Sequence, residues 1–100
     1  MPRKWADPDH AYGRDAEVGW VAATGLSQQV ELAAAKIQHH LILRARIRMV
    51  PRRHTYDTLA NATSLDASVI GKVFRGDRAM HLTHLAALEL VLGDLRSGGT

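Results

Sequence analysis

One hundred residues, 46% hydrophobic and 23% charged, read as one globular domain with a single modest core. The chain has no cysteine, which excludes a disulfide framework and a thiolate metal site, and no apolar run approaches the roughly 20 residues that span a bilayer. Net charge is +3, and the opening MPRKW leads into no apolar signal segment, so a cytoplasmic protein with no membrane partner is expected.

Residues 1–26 read as an N-terminal arm, partly helical. Asp7-Pro8 has the form of an N-cap followed by proline at the first helical position, which predicts a helix over 8–24. Gly13 and Gly19 weaken that helix by ~1 kcal/mol each, and Gly25 is its expected stop. Trp5, Tyr12 and Trp20 place most of the aromatic surface here, as part of a small core or as a dimer contact.

Ser27 is the expected cap of a long helix over 27–50, ended by Pro51. Val30, Ala34, Ile37 and Leu41 fall at helical spacing, and Leu43, Ile47 and Val50 form a second, rotated stripe. Two apolar faces put this helix at the centre of a bundle, or bend it between arm and domain.

Thr55 caps the next helix, over 56–62, with Leu59 and Ala60 inward. Thr63-Ser64-Leu65 is a break. Asp66 caps a helix to about Arg75, whose buried side is Val69, Ile70, Val73 and Phe74. Gly76-Asp77-Arg78 is a loop. Leu82, Leu85, Leu88 and Leu92 define the last helix, Gly93 ends it, and residues 97–100 are an expected disordered tail. No strand pattern and no internal repeat is visible. The fold class is all-α: a small helical bundle at 27–96 with an N-terminal helical arm.

Charge is uneven along the chain. Residues 36–80 hold nine basic side chains (Lys36, Arg44, Arg46, Arg48, Arg52, Arg53, Lys72, Arg75 and Arg78) against Asp57, Asp66 and Asp77. The flanking segments are slightly acidic. A basic middle is what a phosphate-facing surface requires, although an Arg-rich helix face is also simply well solvated.

The residues from Leu59 onward resemble the Cro/C1-type, phage repressor-like helix-turn-helix family. Leu59-Ala60, Leu65, Ser68, Ile70, Lys72, Val73, Arg75 and Gly76 keep its spacing without a gap. So do Leu82, Leu85, Leu88 and Leu92-Gly93 in the segment that follows. Ser64 stands where the family has glycine in the turn, Thr63 replaces an apolar residue, and Phe74 replaces a polar one.

The resemblance implies a helix-turn-helix over 55–76, with the helix from Asp66 to Arg75 entering the DNA major groove. Base contacts would come from Ala67, Ser68, Gly71 and Lys72. Lys72 can donate to guanine O6 and N7, whereas Ala67 offers only a methyl. Gly71 allows close approach of the backbone to DNA, or is a tolerated glycine. Asp66 is foremost a cap. Phosphate contacts would come from Arg52, Arg53, Thr55, Arg75 and Arg78.

The expected function is a sequence-specific, repressor-like transcriptional regulator, a homodimer on double-stranded DNA. The alternative is an antitoxin-like or phage adaptor that grips a small protein partner through residues 1–50. A sequence-independent nucleic-acid binder is a third reading. No catalytic constellation stands out, so no enzyme activity is expected. His39-His40 diverge on a helix, and His81 and His84 lack a nearby carboxylate at ligand spacing, so neither a metal nor another cofactor is expected.

Overall fold

The computed structural model describes residues 1–97. Four helices carry the fold: α1 (Gly25–Met49), α2 (Tyr56–Thr63), α3 (Ala67–Arg75) and α4 (Leu82–Leu92). α1 is the frame. Its 25 residues at about 1.5 Å each run about 37 Å, close to the 40 Å long dimension of the molecule.

α1 begins two residues before the expected cap. Ser27 lies inside it, and the corner is closed by Gln28, whose Oε1 accepts from both the amide and the hydroxyl of Thr24 at 3.0 Å. The inward face is not the row of large aliphatic residues. Ala35, Gln38, His39, Leu41, Ile42, Ala45 and Met49 are buried, whereas Val30, Ala34 and Ile37 are exposed. Local packing explains Ala35: Tyr12 crosses over it and donates its hydroxyl to the Ala35 carbonyl at 2.8 Å.

The N-terminal segment departs most from expectation, because the helix over 8–24 does not form. Two 3-10 turns, Pro2–Trp5 and Asp9–Ala11, flank a two-residue strand β1 (Ala6–Asp7). β1 pairs antiparallel with β2 (Gly19–Trp20), in the register Ala6 to Trp20 and Asp7 to Gly19. Backbone groups that a helix would have satisfied find distant partners instead. Gly13 N–H donates to His39 Nδ1 at 2.8 Å, and the Arg46 guanidinium donates to the Gly13 carbonyl. Arg3 N–H donates to the Gly76 carbonyl at 3.0 Å.

Trp5 and Tyr12 are buried in the core, and Trp20 stands edge-on to the Tyr12 and His39 rings at 6.3 and 5.3 Å. Residues 1–24 are therefore a layer on α1 that shares its core, not a projecting arm. Gly76 makes this docking possible. It takes φ +78°, and a Cβ there would lie 2.6 Å from Tyr12 Cε1 and 2.9 Å from Arg3 Cβ.

α2, α3 and α4 close over the C-terminal half of α1. Leu59, Ile70, Phe74, Leu88 and Leu92 meet Ile42 and Ala45 in one cluster. The polar tie is Gln38. Its Nε2 donates to the carbonyls of Val73 and Arg78, both at 3.0 Å, and its Oε1 accepts from Met80 N–H at 2.8 Å. One side chain thus joins α1 to the end of α3, the loop and the start of α4.

Beyond α4, Leu95 returns to the core and its N–H donates to Glu89 at 2.8 Å. Ser97 hydrogen-bonds to Asp94, and the rest of the expected tail, 98–100, lies outside the described residues. Among the described residues no helix is long and apolar enough to cross a membrane.

Gln38→Leu conserves volume but strands the Arg78 carbonyl and Met80 N–H, and leaves the Val73 carbonyl with Gly76 N–H alone. It should cost about 2–3 kcal/mol, read as a lower denaturant midpoint at unchanged m-value.

Two buried histidines give stability a pH dependence of known sign. Burial holds His39 and His84 below the ordinary imidazole value of 6.5, and neighbouring His40 and His81 push in the same direction. Both are neutral in the folded and unfolded chain above that pH. As pH falls below 6.5 the unfolded chain takes up protons that the fold refuses, so stability declines toward the lowered values. Denaturant midpoints at pH 7.5 and 5.0 should differ in that direction, and His39→Asn should shrink the difference.

Candidate nucleic-acid interface

α2 opens with a reciprocal cap. Thr55 Oγ1 accepts from Thr58 N–H at 3.2 Å, and Thr58 Oγ1 accepts from Thr55 N–H at 2.8 Å. α2 ends at Ser64, which takes φ 62° and donates its N–H to the Ala60 carbonyl at 3.0 Å. The left-handed turn expected of this position therefore forms on a serine. Thr63 supports it: its hydroxyl donates to the Leu59 carbonyl and accepts from Leu65 N–H at 3.3 Å.

Asp66 then caps α3, accepting from Ser68 N–H at 2.8 Å. That amide is the main reason its carboxyl sits below the usual range.

α3 is strongly two-sided. Ile70, Gly71, Val73 and Phe74 are buried, and Ser68, Lys72 and Arg75 are exposed. The exposed three are spaced i, i+4, i+7, which places them along one face. Lys72 forms no ion pair among the described residues. Ala67, beside them, is half-buried.

The bare Cα of Gly71 faces protein. A Cβ there would lie 2.9 Å from the Arg75 guanidinium and 3.5 Å from the Tyr56 ring. Its lack of a side chain seats the first turn of α2 against α3, with Tyr56 also 5.3 Å from the Phe74 ring. Gly71 is therefore buried in the junction rather than open to an approaching duplex.

The expected phosphate contacts divide. Arg52, Arg53, Thr55, Arg75 and Arg78 are all exposed, and what divides them is what they bind. The Thr55 hydroxyl is engaged in its cap. Arg75 Nε pairs with Asp77 at 3.2 Å, and Asp77 also accepts from Arg3 at 2.8 Å. Burial alone would raise the Asp77 carboxyl, but the hydrogen bonds and charges of Arg75 and Arg3 outweigh it and hold the group below its ordinary value. Arg78 is held by its backbone, whose carbonyl accepts from Gln38.

Arg52 is placed elsewhere. With Arg44 and Arg48 it reaches the C-terminal end of α4. Arg44 donates to Leu95 O at 2.9 Å, Arg48 and Arg52 each donate to Leu92 O at 3.3 Å, and Arg48 also reaches Asp94 O. Cations there satisfy orphan carbonyls and the negative end of the helix dipole. Arg46 is equally committed, stacked 5.1 Å from the Phe74 ring and donating to Tyr56 OH at 3.1 Å.

Sequence reasoning missed three positioning residues: Gln38, Tyr56 and Asp77. A glutamine among the aliphatic residues of a long helix was a visible signal. Tyr56 and Asp77 carried none apart from the fold.

His81 and His84 form a cap, with His81 N–H donating to His84 Nδ1 at 3.1 Å. Among the described residues no group of three His, Cys, Asp or Glu side chains could hold a metal ion.

In comparison with known proteins, the chain matches no protein-family model, no curated protein and no solved structure.

The cap on α2 is testable. Thr55→Ala should destabilise the protein by about 1 kcal/mol, and Thr55→Ser should retain most of the lost stability, both read by chemical denaturation.

Proposed function

We propose that this chain is a sequence-specific DNA-binding transcriptional regulator, repressor-like, which inserts α3 into the major groove of double-stranded DNA as a homodimer. The observation that carries the reading is the outer face of α3. Ser68, Lys72 and Arg75 lie exposed along it, while the opposite face is locked into the core by Ile70, Val73 and Phe74. A rigid rod with polar and cationic groups on its free side meets the geometric need of a major-groove reader.

Within this proposal, Lys72 is the base-reading residue and Ser68 its weaker neighbour. Ala67 offers a methyl at the edge. Arg53, Arg75 and Arg78 meet phosphates around the ends of α2 and α3, and Thr55 presents the N-terminal amides of α2. Arg52 serves α4 and Gly71 serves the α2–α3 junction. Releasing Arg75 from Asp77 for a phosphate is cheap, because the pair is solvent-exposed.

The reading in which residues 1–50 grip a small partner protein loses its aromatic surface, because Trp5 and Tyr12 are buried in the core. A sequence-independent binder is separated by competition, since a regulator prefers its operator by ~10³-fold or more over random DNA.

Selection of bound duplexes from a random pool should enrich one motif, whereas an unenriched pool would defeat the proposal. On that motif, Lys72→Ala should lose about 1–3 kcal/mol and relax preference at one base pair. Arg75→Ala should weaken binding to all sequences alike and lower the salt slope by about one unit.

A further inference from the structure

The first half of α1 carries apolar surface that nothing among the described residues covers. Leu26, Val30 and Ile37 are 76%, 60% and 62% exposed, and Met1 and Leu82, across an adjoining groove, are 67% and 83% exposed. Of residues 25–34 only Leu32 is even half-buried. A helical segment without a buried face has little beyond its own propensity to hold it. A continuous apolar face of this kind marks an interaction surface.

We propose that this face is a homodimer interface, in which α1 packs antiparallel against α1 of a second copy about a two-fold axis at the Ala33–Ala34 bond. The spacing identifies the occupant. Leu26 and Val30 are four residues apart, as are Ile37 and Leu41, and the two pairs are equidistant from Ala33-Ala34. At about 100° per residue all four fall within about 60° of arc. An antiparallel copy therefore sets Val30 against Ile37, twice over, and lays Leu26 over the groove beside Leu41, which is itself buried in its own core. Isologous contacts demand such self-complementarity, whereas an unrelated partner would not require mirror spacing.

The surroundings fit. Ala33 and Ala34, both exposed, are small enough at the axis for the helices to approach closely. Beside Leu41 lies a groove of about 780 Å³ with an apolar wall of Met1, Ile37, Met80, Leu82 and Leu85 and a charged rim that includes Lys4, Glu31, Arg44 and Arg96. This groove receives Leu26 of the second copy. No fixed charge lies between Leu26 and Leu41 on this face. Glu31 turns aside to Lys4 at 3.8 Å, and Lys36 lies over the Trp20 ring at 5.8 Å, so like charges are not forced together.

The area suffices for a modest dimer. Five exposed side chains at on the order of 100 Å² each, with the alanines and the rim, give roughly 600 Å² per copy. A specific interface begins at about that size, which points to micromolar association.

The inference is independent of DNA binding and is tested without DNA. Sedimentation of the full chain should show a monomer–dimer equilibrium with a Kd of about 1–100 μM. Val30→Lys and Ile37→Glu should each weaken it by about tenfold or more. The double variant should restore it, because position 30 of one copy meets position 37 of the other as two Lys–Glu pairs. Circular dichroism melts taken well below the dimer Kd, where every chain is monomeric, should coincide for wild type and variants and so separate loss of association from loss of fold.

A wild-type chain that stays monomeric to about 1 mM would overturn the proposal. So would a dimer indifferent to both single changes, a double variant no better than either single one, or a monomer whose groove takes up an apolar dye. A dimer that enriches no DNA motif would leave the interface standing and remove the DNA reading. A monomer with a clear operator would remove the interface and the homodimer from the proposed function, and leave the DNA reading of α3 standing.

Discussion

Three backbone groups at the α3–α4 corner are satisfied by one buried amide, that of Gln38. Without it, Arg78 O and Met80 N–H would have to be drawn out toward water, and Val73 O would keep only Gly76 N–H. α3 would then lose the tie from α1 that helps set its angle. The amide is bidentate in function, so it fixes direction as well as distance. Everything proposed for α3 depends on that orientation, since a reading helix off its angle presents Lys72 to a phosphate instead of a base edge.

The same corner is gripped from its other side by the N-terminal layer. Arg3 holds Gly76 through its backbone and Asp77 through its guanidinium, and Asp77 in turn holds Arg75. Residues far apart in sequence thus converge on the end of α3. The consequence for charge is large. Most arginines of the basic middle segment cap α4, brace Gly13 or stack on Phe74, so a composition that looks like a phosphate-binding surface is largely structural. Lys72 and Arg53 are exposed and outside these ties, which is why the proposed reading rests on so few side chains.

The parts of this fold legible in the sequence are those whose signals are local. Thr55, Ser64, Asp66, Gly76 and Gly93 punctuate α2, α3 and α4, and each boundary fell within a residue of its marker because cap chemistry acts over one turn. The N-terminal layer was illegible because its 3-10 turns and two-residue strands have no period to detect. His39, Ala35, Arg46 and Gly76, 23 residues or more distant from their partners, hold it together. Pro8 also mimicked a helix start that the following glycines and buried aromatics did not support.

α1 shows a different failure, one of sign. The stripe of Val30, Ala34, Ile37 and Leu41 has the spacing of a core face, and only Leu41 is buried. The core face instead includes Gln38, whose amide is hydrogen-bonded at both ends, and His39, whose Nδ1 accepts from Gly13 N–H while its buried Nε2 has no partner among the described residues. Periodicity reports that a helix has an apolar side, but not whether its own chain or another molecule covers it. When the buried face lies elsewhere around the helix, this aliphatic stripe is left facing solvent. The mirror spacing about Ala33–Ala34 then becomes a constraint on what can cover it.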